Sequence, residues 1–259
     1  MPDRVYLDWN ATTPLRSEAR EAMAAAWDIP GNPSSVHAEG RKARRLVEDA
    51  RAAVAGAVGA LPGNVVFTSG GTEANALALT PGLRLKSGAP VQRLVVSAIE
   101  HASVLAGGRF PPEAIVMVGV SGSGVVHLDR LRDALASGPP ALVSVMLANN
   151  ETGAVQPIAE VAEIVRAAGG VLHVDAIQAL GKIPFDINAL SADLVTVSAH
   201  KIGGPKGVGA LVWAEGVQGL EPLLRGGGQE RGHRAGTENV AGIAGLGAAV
   251  RAAMGALEN

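Results

Sequence analysis

The stretch Val65-Val66-Phe67-Thr68-Ser69-Gly70-Gly71-Thr72-Glu73-Ala74-Asn75-Ala76-Leu77-Ala78-Leu79 passes from a β-branched apolar run, through two glycines, into residues of helical composition. A short continuous apolar run suits a strand covered on both faces, and Thr72 to Leu79 reads as a helix. Strand, glycine turn and helix form the unit from which an α/β sheet is assembled. The same alternation extends outward. Further strands are predicted over Leu94 to Ser97, Leu142 to Met146, Val171 to Val174, Leu194 to Val197 and Val208 to Val212. Helices are predicted over Ser17 to Trp27, Glu39 to Val58, Leu128 to Ala136 and Ile158 to Ala168. The second of these carries Arg41, Lys42, Arg44, Arg45, Glu48, Asp49 and Arg51 on one broad charged face. The expected fold is α/β: a mostly parallel central sheet flanked by helices, one domain over residues 1–259, with an extended segment at 1–15 that contains a strand-like Val5-Tyr6-Leu7.

Composition narrows the function classes. With 259 residues the chain buries a sizeable core, and its 34 glycines and 15 prolines stay below the share typical of low-complexity chains. Twenty-two basic against 24 acidic residues give a net charge of −2, without the basic footprint of a duplex-binding module, so no nucleic-acid partner is expected. The absence of cysteine excludes disulfides, thiolate metal sites and a catalytic thiol within the chain. The N-terminus has no apolar signal-like stretch, and the apolar run Val240 to Val250 ends at Arg251, short of the ~18 residues a span needs. No membrane partner and a cytoplasmic location are the expectations.

Ligands of open α/β sheets bind beyond the carboxyl ends of the strands. Five predicted strand ends deliver polar residues there: Ser69-Gly70-Gly71-Thr72, Glu100-His101, Asn149-Asn150-Glu151, Asp175 with Gln178, and Ser198-Ala199-His200-Lys201. Ser69 to Thr72, at a helix start, reads as an anion cup or as a plain glycine turn capped by Thr72. It has neither the Gly-Lys-Ser/Thr ending of a P-loop nor a GxGxxG fingerprint. Asp175, after an apolar run, requires a cationic partner: a basic side chain, a metal or a protonated ring nitrogen. Lys201 at a strand end beside glycines suits a Schiff-base amine, or else is a surface lysine. Anion cup, buried carboxylate and amine together are what pyridoxal phosphate requires. A metal site from His173, Asp175 and His200 lacks ligand spacing, no GxSxG elbow supports a hydrolase, and His37, His127 and His233 read as loop or surface histidines.

These residues resemble a known family, the pyridoxal-phosphate-dependent cysteine desulfurases of the NifS/IscS kind, within the class V aminotransferases of fold type I. The resemblance runs along the chain through Tyr6 to Pro14, Gly31-Asn32-Pro33-Ser34-Ser35-Val36-His37, Phe67 to Asn75, Glu100-His101, Asn149 to Gly153, His173 to Gln178, Ser198 to Gly207 and Gly226 to Thr237. It implies that Lys201 anchors the cofactor covalently, Asp175 pairs with the pyridinium nitrogen, and His101 stacks on the ring and takes part in proton transfer. It further implies that Gln178 contacts the ring oxygen, Asn150 the cofactor or substrate, and Gly71, Thr72, Ser198 and His200 the phosphate. Thr237 would reach the phosphate of a neighbouring subunit, which makes a homodimer the expected state. The implied reaction takes sulfur from L-cysteine, leaves L-alanine, and serves iron–sulfur cluster or thio-cofactor assembly. Family members carry the nucleophilic cysteine and a carboxylate-binding arginine in a smaller C-terminal domain. The chain is therefore expected to be the large cofactor-binding domain, truncated before that part. On this reading it is a desulfurase fragment, one half of a split enzyme that needs a second chain, or a non-catalytic binding or dimerisation relic. A scaffold or sulfur-acceptor protein is the further partner implied.

Overall fold

The structure, a computed structural model, describes residues 4–86 and 88–257. The expected segment 1–15 therefore begins, for its first three residues, outside the described part, and the expected domain 1–259 ends two residues beyond it. In chain order the elements are α1 (Ser17–Trp27), α2 (Ala38–Val58), β1 (Val65–Thr68), α3 (Gly71–Ala78), β2 (Arg84–Leu85), β3 (Arg93–Ser97) and α4 (Ala102–Leu105). They continue with β4 (Ile115–Val118), α5 (Leu128–Leu135), β5 (Ala141–Met146), α6 (Ile158–Ala167), β6 (Val171–Asp175), β7 (Leu194–Ser198), β8 (Gly209–Trp213), β9 (Val217–Gln218) and α7 (Val240–Leu257).

Over the described residues, seven strands form one sheet in the order β1-β8-β7-β6-β5-β3-β4. Only β8 runs against the rest, antiparallel to both β1 and β7, so the carboxyl ends of the other six share one rim. The chain leaves β3 for β4 on one side and returns to β5 on the other, which places a switch point at that rim.

Strand alternation fills two cores. Val95, Val143, Val145, Val174, Val195 and Val197 pack into the larger cluster with residues of α2, α6 and α7. Val66, Leu94, Val96, Leu142, Val171 and Leu194 pack into the other, under Ala74, Leu77 and Ala78 of α3. Each large aliphatic side chain buried this way contributes roughly 1.5–3 kcal/mol before entropy is counted. The 18-residue α7 is apolar nearly all round because Ala241 to Val250 lie buried, packed largely by α1 and α2. It runs through Arg251 to Leu257, longer than the apolar run alone shows, and its length and hydropathy would suit a membrane span. Its buried face shows that internal packing accounts for that composition.

Three expectations need correction. Val5-Tyr6-Leu7 forms no strand; the segment is irregular, with Val5 and Leu7 exposed. Arg51 does not lie on the charged face of α2 but is buried against Glu230. Thr72 is not a cap: Gly70 occupies the position before α3, and Thr72 stands in its first turn. The edge strand β4, the β2–β9 ribbon and the one-turn α4 were not foreseen, since Met117 of β4 faces solvent and the others are too short to show a period.

Candidate active site

The strand ends meet around one cavity of about 410 Å³. Its lining includes Gly71 and Thr72 after β1, His101 after β3, Asn150 after β5, Asp175 and Gln178 of and after β6, and Ser198, His200 and Lys201 of and after β7. Every site residue expected from the sequence is therefore brought to this cavity except Thr237. Thr237 is exposed and lines a separate recess with Thr68, Ser69 and Arg234, adjoining the glycine turn from outside.

Asp175 ends β6 with only 4% of its surface exposed. Its Oδ1 accepts the Ile177 N–H at 3.0 Å and its Oδ2 accepts an Asn75 N–H at 2.9 Å. Burial pushes this carboxyl above its ordinary range, and those hydrogen bonds and the His101 and Lys201 charges offset it only in part. A carboxylate so enclosed fits a cationic group in the cavity beside it.

Lys201 stands at the end of a short turn after β7, held there by the N-terminal segment. Its Nζ donates to the backbone carbonyls of Asn10 and Ala11, while Thr13 bonds the His200 and Lys201 carbonyls and Arg16 the carbonyls of Ile202 and Gly203. Burial lowers the Lys201 amine from the ordinary lysine range, opposed by Asp8 and Asp175. A depressed amine is a better nucleophile near neutral pH.

The glycine turn makes the anion cup. The start of α3 points free N–H groups outward, and Gly71 lies so deep that a side-chain carbon there would sit 2.3 Å from Ile177 Cδ1. Thr12, Ser69, Thr72, Ser198, His200 and Lys206 surround the opening. Glu73 accepts the Ser69 N–H at 2.7 Å and pairs with Arg234 Nε at 3.0 Å, which ties the cup to the segment that carries Thr237. Burial raises the Glu73 carboxyl, but Arg234 and Ser69 outweigh it and hold it below its usual range.

His101 precedes α4 as its cap. Its Nδ1 lies 3.1 Å from the Ser103 N–H and 2.8 Å from Ser103 Oγ. Gln178 donates to the Asn10 carbonyl and accepts from Lys182, so its amide is oriented before any ligand arrives. Tested against pyridoxal phosphate, the chain presents a cup for a dianion, a buried carboxylate for a ring nitrogen, and an amine for an aldehyde, all on one cavity. These residues fit that group.

Reasoning from the sequence missed the Asn10 and Ala11 carbonyls and the roles of Asn75, Ser103 and Glu100. Asn75 and Glu100 stood within recognisable segments, but which atoms they face follows only from packing. Glu100 is buried, takes hydrogen bonds from Ser97 and the Met146 N–H on Oε1, and leaves Oε2 without a partner.

Comparison with known proteins agrees with this geometry. The family described as aminotransferase class-V matches residues 5–257. A cysteine desulfurase of Cereibacter sphaeroides is 46% identical over 98% of this chain and 66% of the relative's length. The cysteine desulfurase IscS of Dictyoglomus turgidum is 43% identical over 98% of the chain and 65% of its own length. Among solved structures, a NifS-like protein from Rickettsia africae superposes with a TM-score of 0.90 at 38% identity, covering 98% of this chain and 70% of that one. The chain thus spans about two thirds of the length of these curated relatives.

Proposed function

Because the chain belongs to the class-V aminotransferase family, we propose that it is the cofactor-binding part of a cysteine desulfurase, which moves the sulfur of L-cysteine to a thiol and leaves L-alanine. The observation that carries this reading is the buried Asp175 carboxylate sharing one cavity with Lys201 and the Gly71–Thr72 cup. A structural relative at 32% identity and a TM-score of 0.82 is described as SspA in complex with cysteine, which supports the choice of substrate.

Pyridoxal phosphate, held here, supplies an electron sink that lets an amino acid lose its α-proton. The chain's residues do the rest. Asp175 would keep a ring nitrogen protonated, because its carboxylate accepts hydrogen bonds from Asn75 and Ile177 at the wall of the cavity. Lys201 would anchor the group covalently through Nζ and would serve as the base that moves the proton at the substrate Cα. His101 would stand at the cavity wall beside the group and handle a proton through Nε2, since Nδ1 is occupied by Ser103. Ser198, His200, Thr72 and the Gly71 N–H would hold the phosphate; burial, and then Lys201 and Lys206, keep His200 below its ordinary range.

The sulfur acceptor lies outside these 259 residues, which contain no cysteine. Cysteine and an external thiol then give alanine and a persulfide, a balanced exchange without a separate oxidant. A chain that supplies the acceptor thiol and a carboxylate-binding arginine is the partner this reading requires. A homodimer in the cytoplasm, feeding iron–sulfur cluster or thio-cofactor assembly, completes it. The exposure of Thr237 outside its own cavity, and the exposed Val5, Leu7, Trp9, Trp27 and Val36, support pairing between copies.

The test is to add pyridoxal phosphate to the purified chain and record the visible absorption band, then repeat with Lys201→Ala. A band that requires Lys201 is the expected result; its absence in the unaltered chain overturns the reading. L-Cysteine is then added with and without a polypeptide corresponding to the remaining third of a relative. Alanine formed only with the second polypeptide identifies a divided enzyme, and no alanine in either arm identifies a non-catalytic binder.

A further inference from the structure

Three buried strands each carry one polar residue between apolar neighbours: Val143-Ser144-Val145, Leu172-His173-Val174 and Val195-Thr196-Val197. Ser144, His173 and Thr196 are fully buried and, by strand alternation, share the face covered by α3. Register aligns them: Ser144 stands opposite His173, and Asp175 opposite Thr196. Buried polar groups in such positions are expensive unless every one is paired.

They are paired in a definite direction. Asp175 Oδ2 is an acceptor, so Asn75 presents its NH₂ group to it, at 2.9 Å. Asn75 Oδ1 then faces Thr196, whose single hydroxyl proton is donated to it at 2.6 Å. Thr196 Oγ, 3.1 Å from His173 Nε2, has no proton left for that contact, so Nε2–H is the donor. Burial pushes His173 down to about 3, so the ring is neutral and its Nδ1 accepts from Ser144 Oγ at 2.8 Å. The second Asn75 N–H goes to Ser103 Oγ at 2.9 Å, which frees the Ser103 proton for His101 Nδ1 at 2.8 Å.

We propose that Ser144, His173, Thr196 and Asn75 are positioning residues. They form a one-way hydrogen-bond relay across β5, β6 and β7 that fixes the Asn75 amide, so that its two N–H groups serve Asp175 directly and His101 through Ser103. Its bearing on the cofactor rests on the reading above; the relay itself is a property of the chain. One amide orientation thus keeps Asp175 an acceptor and, through Ser103 Oγ, adds a second donor to His101 Nδ1, which the Ser103 N–H already makes an acceptor, leaving Nε2 to carry the ring proton. The charged and titratable groups that also act on Asp175 are His101, Lys201 and the neighbouring Glu100. Without the Thr196 hydroxyl the Asn75 oxygen loses its donor, and only Asp175 and Ser103 Oγ hold the amide in place.

The first measurement uses the unaltered full chain without cofactor: the ¹⁵N shifts of the His173 ring at neutral pH. A protonated Nε2 with an unprotonated Nδ1 is expected, and the opposite tautomer overturns the relay. The second follows the Asp175 carboxyl by ¹³C shift against pH in Thr196→Val and Thr196→Ser. The Val variant should bind a proton at Asp175 about tenfold more tightly, moving the midpoint up by about one unit. The Ser variant, which keeps the hydroxyl, should match the unaltered chain. Equal midpoints in all three overturn the proposal. If Thr196→Val does not fold, the His173 tautomer decides. Loss of the cofactor reading, by absence of a Lys201-dependent band, leaves both sets of shifts where they are.

Discussion

Arg51 and Glu230 form a buried two-pronged ion pair, Nη1 to Oε2 at 2.7 Å and Nη2 to Oε1 at 3.0 Å, that fastens α2 to the glycine-rich segment before α7. Glu230 also accepts the Phe67 N–H at the centre of β1, and the Arg51 guanidinium lies 4.9 Å above the Phe67 ring. Glu230 and Arg231 hold left-handed backbone angles, φ 48° and 56°, which the pair keeps in place. Removing one partner strands the other charge in the core. Arg51→Met and Glu230→Gln should each cost about 3–5 kcal/mol in urea unfolding, and the double Arg51→Met/Glu230→Leu variant markedly less than their total. A single-variant loss below about 1 kcal/mol would contradict this account.

Glu100 gives a pH signature. Burial, and secondarily the charge of Asp175, push its carboxyl up to about 8 against the outweighed pull of Ser97 and the Met146 N–H. The folded chain keeps this proton where the unfolded chain has lost it. Its contribution is complete below the ordinary glutamate range and is lost as pH rises toward 8. Stability should therefore fall across that window, and Glu100→Gln, which copies the neutral acid, should flatten the slope. Unfolding free energies from pH 5 to 8.5 check this; parallel slopes in the two proteins would refute it.

The depth of the anion cup depends on a contact between two residues. Gly71→Ala places a new carbon 2.3 Å from Ile177 Cδ1. It should destabilise the chain by about 1–3 kcal/mol and weaken pyridoxal phosphate binding. Ile177→Val removes the clashing methyl, so the double variant should recover most of the binding, measured by titration of the visible band. No recovery would place the cost elsewhere.

The anchor lysine can be mapped chemically. Borohydride treatment after pyridoxal phosphate addition should fix the label on Lys201, with little on Lys42, Lys86, Lys182 or Lys206, because only Lys201 joins a lowered amine to the cavity that holds Asp175. Peptide mass spectrometry reads the result. Lys182, also lowered by burial and next to Gln178, is the informative competitor, and a label mainly there would refute the assignment.

Much of this was legible before the fold. The runs at Val65, Leu142 and Leu194 mark strands to within a residue because both faces are buried, and polar residues after them mark the rim. What remained hidden shares one cause. Arg51 follows the charged pattern of α2 and is buried by a residue 179 positions away. The polar residues inside β5, β6 and β7 sit within apolar runs, and their partners stand on neighbouring strands and, for Thr196, on a helix packed across the sheet. Pairings of this kind are set by tertiary distance, which a local pattern does not carry.

The single reversed strand, β8, has an effect on the rim. It brings its beginning there, where every neighbour brings an end, and Gly209 starts it between Thr68 of β1 and Ser198 of β7. No outgoing connection rises at that place, and a side-chain carbon on Gly209 would lie 2.5 Å from the Gly70 carbonyl carbon. The start of the inverted strand therefore packs directly beneath the glycine turn, and the start of α3 brings Gly71 against Ile177 and Ser198. Strand polarity, a property of the whole chain path, thus sets how close an anion can come to Lys201.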